Sequence, residues 1–144
     1  MSPSIEDSCI DKEAAIVHYK TMFDLTDKVA IVTGGAGILG RHFCAGLADS
    51  GAKVAVVDVD SAAAEEFAKE LMRVYGVKSV GLECNVSDGA SVKSMVSAVV
   101  EEFGEINILH NNAACKSDDL DAFFAPFEEY SLDQWQKIMS VNID

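Results

Sequence analysis

Apolar residues follow two rhythms along this chain. Val29-Ala30-Ile31-Val32 and Val54-Ala55-Val56-Val57 are unbroken runs, too short for helices. They read as strands buried on both faces. Elsewhere the spacing is helical. From Ser61 to Tyr75, Ala64, Phe67, Leu71 and Val74 recur at one-turn steps, with Gly76 as the stop. From Asp88 to Phe103, Val92, Met95, Val96, Val99, Val100 and Phe103 trace one stripe, closed by Gly104. Each pattern predicts a helix that buries one face. A further helical run ends at Gly51, between the first two strands. Val77 to Cys84 predicts a third strand, polar enough to lie at a sheet edge, and Ile106 to His110 a fourth. Ser131-Leu132-Asp133-Gln134 is a capping box that opens a last helix. Trp135, Ile138 and Met139 form its apolar stripe, and Asn142 occupies the next position. A buried amide must be hydrogen-bonded, so Asn142 is expected to meet backbone, water or a catalytic group.

Strands that alternate with helix-length crossovers are parallel, with right-handed connections. The expected fold is α/β: a Rossmann-like doubly wound parallel sheet, incomplete, with the first four strands in the order 3-2-1-4. That order places two turns side by side, at the carboxyl ends of strands one and four. One is rich in glycine (Gly34, Gly35, Gly37, Gly40) and the other reads Asn111-Asn112-Ala113-Ala114. Ligands bind at such a switch point.

The glycines carry the candidate chemistry. A tight turn needs positive φ, and a pyrophosphate must come closer to backbone than a Cβ allows; the following helix offers unpaired N–H groups at its positive end. Gly40 lets the helix approach the strand. Asp58 ends the second strand, eighteen residues after Gly40, where a carboxylate can accept hydrogen bonds from an adenosine ribose. An adenosylmethionine-dependent methyl transferase would also use glycines and an acid, but gives no reason for the asparagine pair.

The 144 residues suffice for one domain, expected over 22–144. A formal charge of −13 argues against nucleic acid and anionic membrane surfaces, which select basic clusters. Cys9, Cys44, Cys84 and Cys115 have no paired spacing and form no ligand set with His18, His42 and His110. They read as reduced thiols in a cytoplasmic protein, without a metal site. Residues 1–21 carry Glu6, Asp7, Asp11 and Glu13 before any apolar run, unlike a signal or transmembrane segment. They read as a loose tail, as the product of a start assigned upstream of Met22, or as a short surface helix on Ala14, Ala15, Val17 and His18. Residues 115–130 form an acidic, aromatic loop. Phe123, Phe124 and Phe127 are expected either to line a substrate pocket or to pack under a helix or another subunit. Asp118, Asp119 and Asp121 read as a solvated face.

With the glycine turn, Asp58, Asn112-Ala113-Ala114 and Val141-Asn142 in place, the chain resembles the amino-terminal part of a short-chain dehydrogenase/reductase, over about Asp24 to Asp144. The resemblance implies a nicotinamide cofactor, hydride transfer at alcohol and carbonyl carbons of a small-molecule substrate, and a homodimer or homotetramer. It implies that Gly34, Gly37, Ile38, Leu39 and Gly40 form the pyrophosphate turn, with Asp58 and Val59 at the ribose. Asn85 and Val86 would clamp adenine, and Asn112, Ala113 and Ala114 would follow the nicotinamide half. Asn142 would hold a proton-relay water through a distortion of its helix.

The sequence departs from the family pattern in four places. Ile38 stands where glycine is usual, giving a spacing shared with the extended branch of nucleotide-sugar epimerases and dehydratases. Asn85 replaces an aspartate, though its amide oxygen can still accept from an adenine amine, and Ala114 replaces a glycine. The family's active serine and Tyr-x-x-x-Lys pair are absent: Tyr19, Tyr75 and Tyr130 are followed four positions on by Phe23, Ser79 and Gln134. The expectation is therefore a truncated piece of an oxidoreductase, inactive and poorly stable alone, with a non-catalytic NAD-binding module, or a nucleotide-sugar epimerase or dehydratase of the extended branch, as the alternatives. NAD is expected over NADP: a carboxylate ~5 Å from a 2′-phosphate costs on the order of 3 kcal/mol per charge at an effective dielectric near 20.

Overall fold

The computed structural model describes residues 22–116, 121 and 124–143. The expectations for residues 1–21, Phe123, Asp118 and Asp119 lie outside these. Four parallel strands form one sheet in the order β3-β2-β1-β4: β1 (Val29–Thr33), β2 (Lys53–Asp58), β3 (Ser79–Glu83) and β4 (Ile108–His110). Between them run α1 (Ile38–Asp49), α2 (Ser61–Tyr75) and α3 (Gly89–Phe103); α4 (Leu132–Asn142) follows β4.

The unbroken apolar runs lie in the middle, as double-sided burial requires. All five β1 residues are buried, with Ile31 opposite Ala55 on one side and Leu109 on the other. Alternate residues feed two cores. Val32, Val54 and Val56 pack with Cys44 of α1 and with Phe67 and Leu71 of α2. Val29, Ile31, Ala55 and Val57 pack with Met95 and Val99 of α3 on the opposite face. Helices on both faces make the sheet doubly wound.

Helix ends fall where the sequence places them. Gly76 and Gly104 adopt left-handed φ of 71° and 90° as C-caps. Asp60, Asp88 and Ser131 cap α2, α3 and α4, accepting from the N–H groups of Ala63, Ala90 and Gln134 at 3.0, 2.9 and 3.2 Å. Gly81 in β3 has a separate role: an added Cβ there would run into the backbone of Ala64 and Glu65, so its bareness sets how closely α2 lies on the sheet. Asn107 ties the far strand in, its Oδ1 accepting from Val29 N–H at 2.7 Å while its own N–H donates to Val29 O at 3.0 Å.

Several expected burials are corrected. Strands three and four are shorter than read, beginning at Ser79 and Ile108. Val74 is 52% exposed, and Val96 and Val100 turn outward. Trp135 is exposed as well, and α4 buries no residue fully. The cause is shared: these positions face away from the sheet, or toward the outer side of β4, where no described element packs and Leu109 is itself 57% exposed.

Ser79 Oγ, beneath α2, is buried with no hydrogen-bond partner. A buried unsatisfied hydroxyl is destabilising. Ser79→Ala is therefore expected to leave stability unchanged or to raise it by about 1 kcal/mol, read as the urea midpoint; an equal loss would mean that the hydroxyl has a partner.

Candidate functional site

The site begins where β1 gives way to α1. Gly34 turns the chain with φ of 62°. A Cβ on Gly34 would lie 2.9 Å from Ala113 Cα, and one on Gly40 would strike the Gly34 carbonyl, so these two glycines let three backbone segments meet. Gly37 is the N-cap of α1 and brings no side chain to its first N–H groups, unlike the capping residues of the other three described helices. Those donors are left for something outside the helix.

The second turn is bonded directly to the first. Thr33, buried at the end of β1, accepts through Oγ1 from the N–H groups of Asn112 and Ala113, at 3.0 and 3.1 Å. Asn112 reaches back, its Nδ2 donating to the carbonyls of Thr33 and Gly34 at 2.9 and 3.1 Å. Asn112 thus spends its amide on holding the turns together.

Asp58 closes the far corner. Its Oδ2 accepts from Ala36 N–H at 3.1 Å and its Oδ1 from Asp60 N–H at 3.2 Å. A carboxylate has about four acceptor positions, so each oxygen keeps one for a ligand. Asn85 also lines the cleft, and its Oδ1 takes both the N–H and the hydroxyl of Ser87, at 3.1 and 2.7 Å. An adenine amine would have to displace that hydroxyl.

These groups surround one open cleft of about 800 Å³, whose wall includes Gly34, Gly37, Ile38, Leu39, Gly40, Asp58, Val59, Asn85, Val86, Asn112, Ala113 and Ala114. The structure therefore brings together every residue the resemblance pointed to for a nucleotide. The volume is in the range of small-molecule and cofactor sites. Ile38, Leu39 and Val59 are 85%, 63% and 69% exposed, apolar surface turned toward the cleft.

Asn142 stands apart, on the wall of a smaller adjoining groove of about 410 Å³ between α3, β4 and the end of α4. It is exposed rather than buried, because no described residue covers that face of α4. It does have a specific partner, the backbone of Cys115: Oδ1 accepts from its N–H at 2.8 Å and Nδ2 donates to its carbonyl at 3.1 Å. The helical ladder continues past Asn142, with Ile143 N–H donating to Met139 O at 2.9 Å. Phe124 and Phe127 are exposed and absent from both walls; Phe127 borders a separate hollow with Tyr130 and Trp135.

Cys44 is buried, which pushes its thiol up to about 12 and keeps it protonated at neutral pH. Among the described residues, no cluster of three or more His, Cys, Asp or Glu could hold a metal ion, and no helix is long and apolar enough to cross a membrane.

The profile of the short chain dehydrogenase family matches residues 28–144. The chain belongs to that family. It is 39% identical over 121 residues to D-threitol dehydrogenase of Mycolicibacterium smegmatis, covering 84% of this chain and 44% of the relative. Among solved structures, the NADPH-dependent 3-quinuclidinone reductase of Rhodotorula rubra superposes with a TM-score of 0.77 at 28% identity, over 99% of this chain and 48% of that one. NAD⁺-bound xylitol dehydrogenase gives 0.74 at 29% identity, over 83% and 44%. The chain spans less than half the length of these proteins. Of these two similar structures, the reductase is NADPH-dependent and the xylitol dehydrogenase holds NAD⁺.

Thr33 and Asn107 escape sequence reading. The nearest signal for Thr33 is a hydroxyl at the last position of an otherwise apolar strand, just before a glycine. Thr33→Val, which keeps the shape and strands two N–H groups, is expected to cost about 2 kcal/mol in denaturant unfolding. Thr33→Ser should recover most of it, and equal stability of the valine variant would refute the bracing role.

Proposed function

We propose that this chain is the cofactor-binding part of an NAD-dependent oxidoreductase whose substrate is an alcohol or carbonyl compound. The observation that carries the reading is the uncapped amino end of α1, facing a cleft whose floor is glycine backbone and whose far corner is a carboxylate. A pyrophosphate suits the free N–H groups and the space left by the missing Cβ at Gly40. Asp58 would accept from the two adenosine ribose hydroxyls. Ile38, Leu39 and Val59 would cover the apolar surfaces of the nucleotide, and Ala113 and Ala114 would border its nicotinamide half. When bound, the nicotinamide supplies a hydride acceptor or donor.

The proton side of such a reaction needs a group matched to it. No tyrosine of this chain has a lysine four positions on, so we expect the 144-residue polypeptide alone to be inactive. Asn142, to which the resemblance gives a proton-relay water, would also fix the Cys115 segment, which lies on the cleft wall just beyond Ala114. A homodimer or homotetramer in the cytoplasm accords with the family. Two of the similar proteins are named for sugar alcohols, which makes polyols the first substrates to try.

Asp58 should set the cofactor preference. In the full-length gene product, calorimetric titration is expected to show NAD⁺ binding at least roughly tenfold tighter than NADP⁺, the size expected of one partly screened charge repulsion. Asp58→Asn should narrow that gap by weakening NAD⁺ and admitting NADP⁺. Equal or tighter NADP⁺ binding by the unaltered protein would overturn the preference.

A further inference from the structure

Asn85 and Val86 line the cleft on the segment that leaves β3. β3 is the neighbour of β2, and just past their last paired residues Cys84 N–H donates to Asp58 O at 2.9 Å. A nucleoside whose ribose meets Asp58 would therefore carry its base toward Asn85. The orientation of the Asn85 amide is fixed by chemistry rather than by shape. A main-chain N–H can only donate, so the side-chain atom 3.1 Å from Ser87 N must be the amide oxygen. The Ser87 hydroxyl donates to the same oxygen at 2.7 Å. An amide oxygen has two lone pairs, and both are occupied. The main chain of Asn85 is committed as well: its N–H donates to Ser91 Oγ and its carbonyl accepts from Asp88 N–H, each at 3.0 Å. What remains is Nδ2, which meets no acceptor among the described residues.

We propose that Asn85 meets the purine of the cofactor as a hydrogen-bond donor, so that this cleft takes a 6-oxopurine dinucleotide about as readily as the 6-aminopurine of NAD. The inference rests on the cofactor reading above and adds base selectivity to it. A carboxylate in this place would accept from Ser87 N–H with one oxygen and keep the other as an acceptor, which suits an amine. The amide has nearly the same shape but puts an N–H₂ group where that second oxygen would be. An adenine amine then faces donor against donor, whereas a 6-oxo group offers lone pairs to Nδ2. For the amine to be accepted instead, the Ser87 hydroxyl must first give up its bond to Oδ1. A flip of the amide is opposed too, because it would set Nδ2 against the Ser87 N–H.

The test titrates NAD⁺ and its 6-oxo analogue, nicotinamide hypoxanthine dinucleotide, into the full-length gene product. The analogue is expected to bind within about threefold of NAD⁺, or tighter. Weaker binding than that overturns the proposal, because it means that the amine is recognised. In Asn85→Asp, which keeps an acceptor for Ser87 N–H, the ratio of the two affinities should move roughly fivefold to tenfold in favour of NAD⁺. The added negative charge acts on both dinucleotides and cancels in that ratio. A ratio unmoved in this variant, with its folding confirmed by a circular dichroism melt, also overturns the proposal; if the variant does not fold, the ratio in the unaltered protein decides alone. Should the unaltered protein bind neither dinucleotide, the cofactor reading itself falls and takes this inference with it. That result is distinct from a failure of base selectivity, in which NAD⁺ still binds.

Discussion

The brace between the ends of β1 and β4 is the contact on which the site depends. Thr33 Oγ1 receives two N–H groups from the second turn, and Asn112 returns two hydrogen bonds to the first. Both turns interrupt regular structure beside an open cleft, so their polar backbone groups have no ladder partners. One hydroxyl and one amide satisfy four of them, while the N–H groups of Gly35, Ala36 and Gly37 donate to Val57 O, Asp58 Oδ2 and Gly34 O. Because Gly34 has no Cβ, the segments close to van der Waals contact at Ala113. The cleft floor is therefore a crossed pair of turns, stiff without the packing that a floor of side chains would need.

Geometry of this kind is only partly visible in a sequence. The strand, glycine turn, helix and strand from Val29 to Asp58 were legible because each local signal agrees with the next: β-branched runs, glycines at helical entry, an acid at a strand end. Strand order followed from crossover length. The brace was not legible, since Thr33 looks like an ordinary strand residue until the pairing of Val32 with His110 brings its hydroxyl to the turn beyond β4. Gly81 was missed for the same reason; its need to be bare comes from α2, a helix earlier in the chain.

The errors of burial have a different origin. Periodicity reports which face of a helix can be buried, not whether anything lies opposite. Val96 and Val100 belong to the apolar stripe of α3, yet Met95 and Val99 are the ones buried against the sheet, with Val92 and Phe103 partly buried beside them. On α4 the stripe through Trp135 finds only partial cover, with Ile138 and Met139 half-buried and Trp135 exposed, and Asn142 exchanges hydrogen bonds with the Cys115 backbone at the surface. The expectation of a specific partner held although the premise of burial failed, because an amide aimed at a peptide unit needs no core around it.

A chain of formal charge −13 makes an awkward host for an anionic dinucleotide. The conflict is smaller than the total suggests. At physiological salt the Debye length is about 8 Å, so most surface carboxylates are screened from the cleft and the groups within one helical turn decide the local potential. There α1 presents unspent N–H groups with no acidic side chain in its first turn, whereas the other three helices described have Asp60, Asp88 or Ser131 at the cap. Asp58, the one carboxylate among the described residues on the cleft wall, has two of its acceptor positions occupied by the N–H groups of Ala36 and Asp60. In the cofactor reading proposed above, attraction for a pyrophosphate and discrimination at a ribose would be separated along the cleft, backbone donors acting on the first and the Asp58 charge on the second.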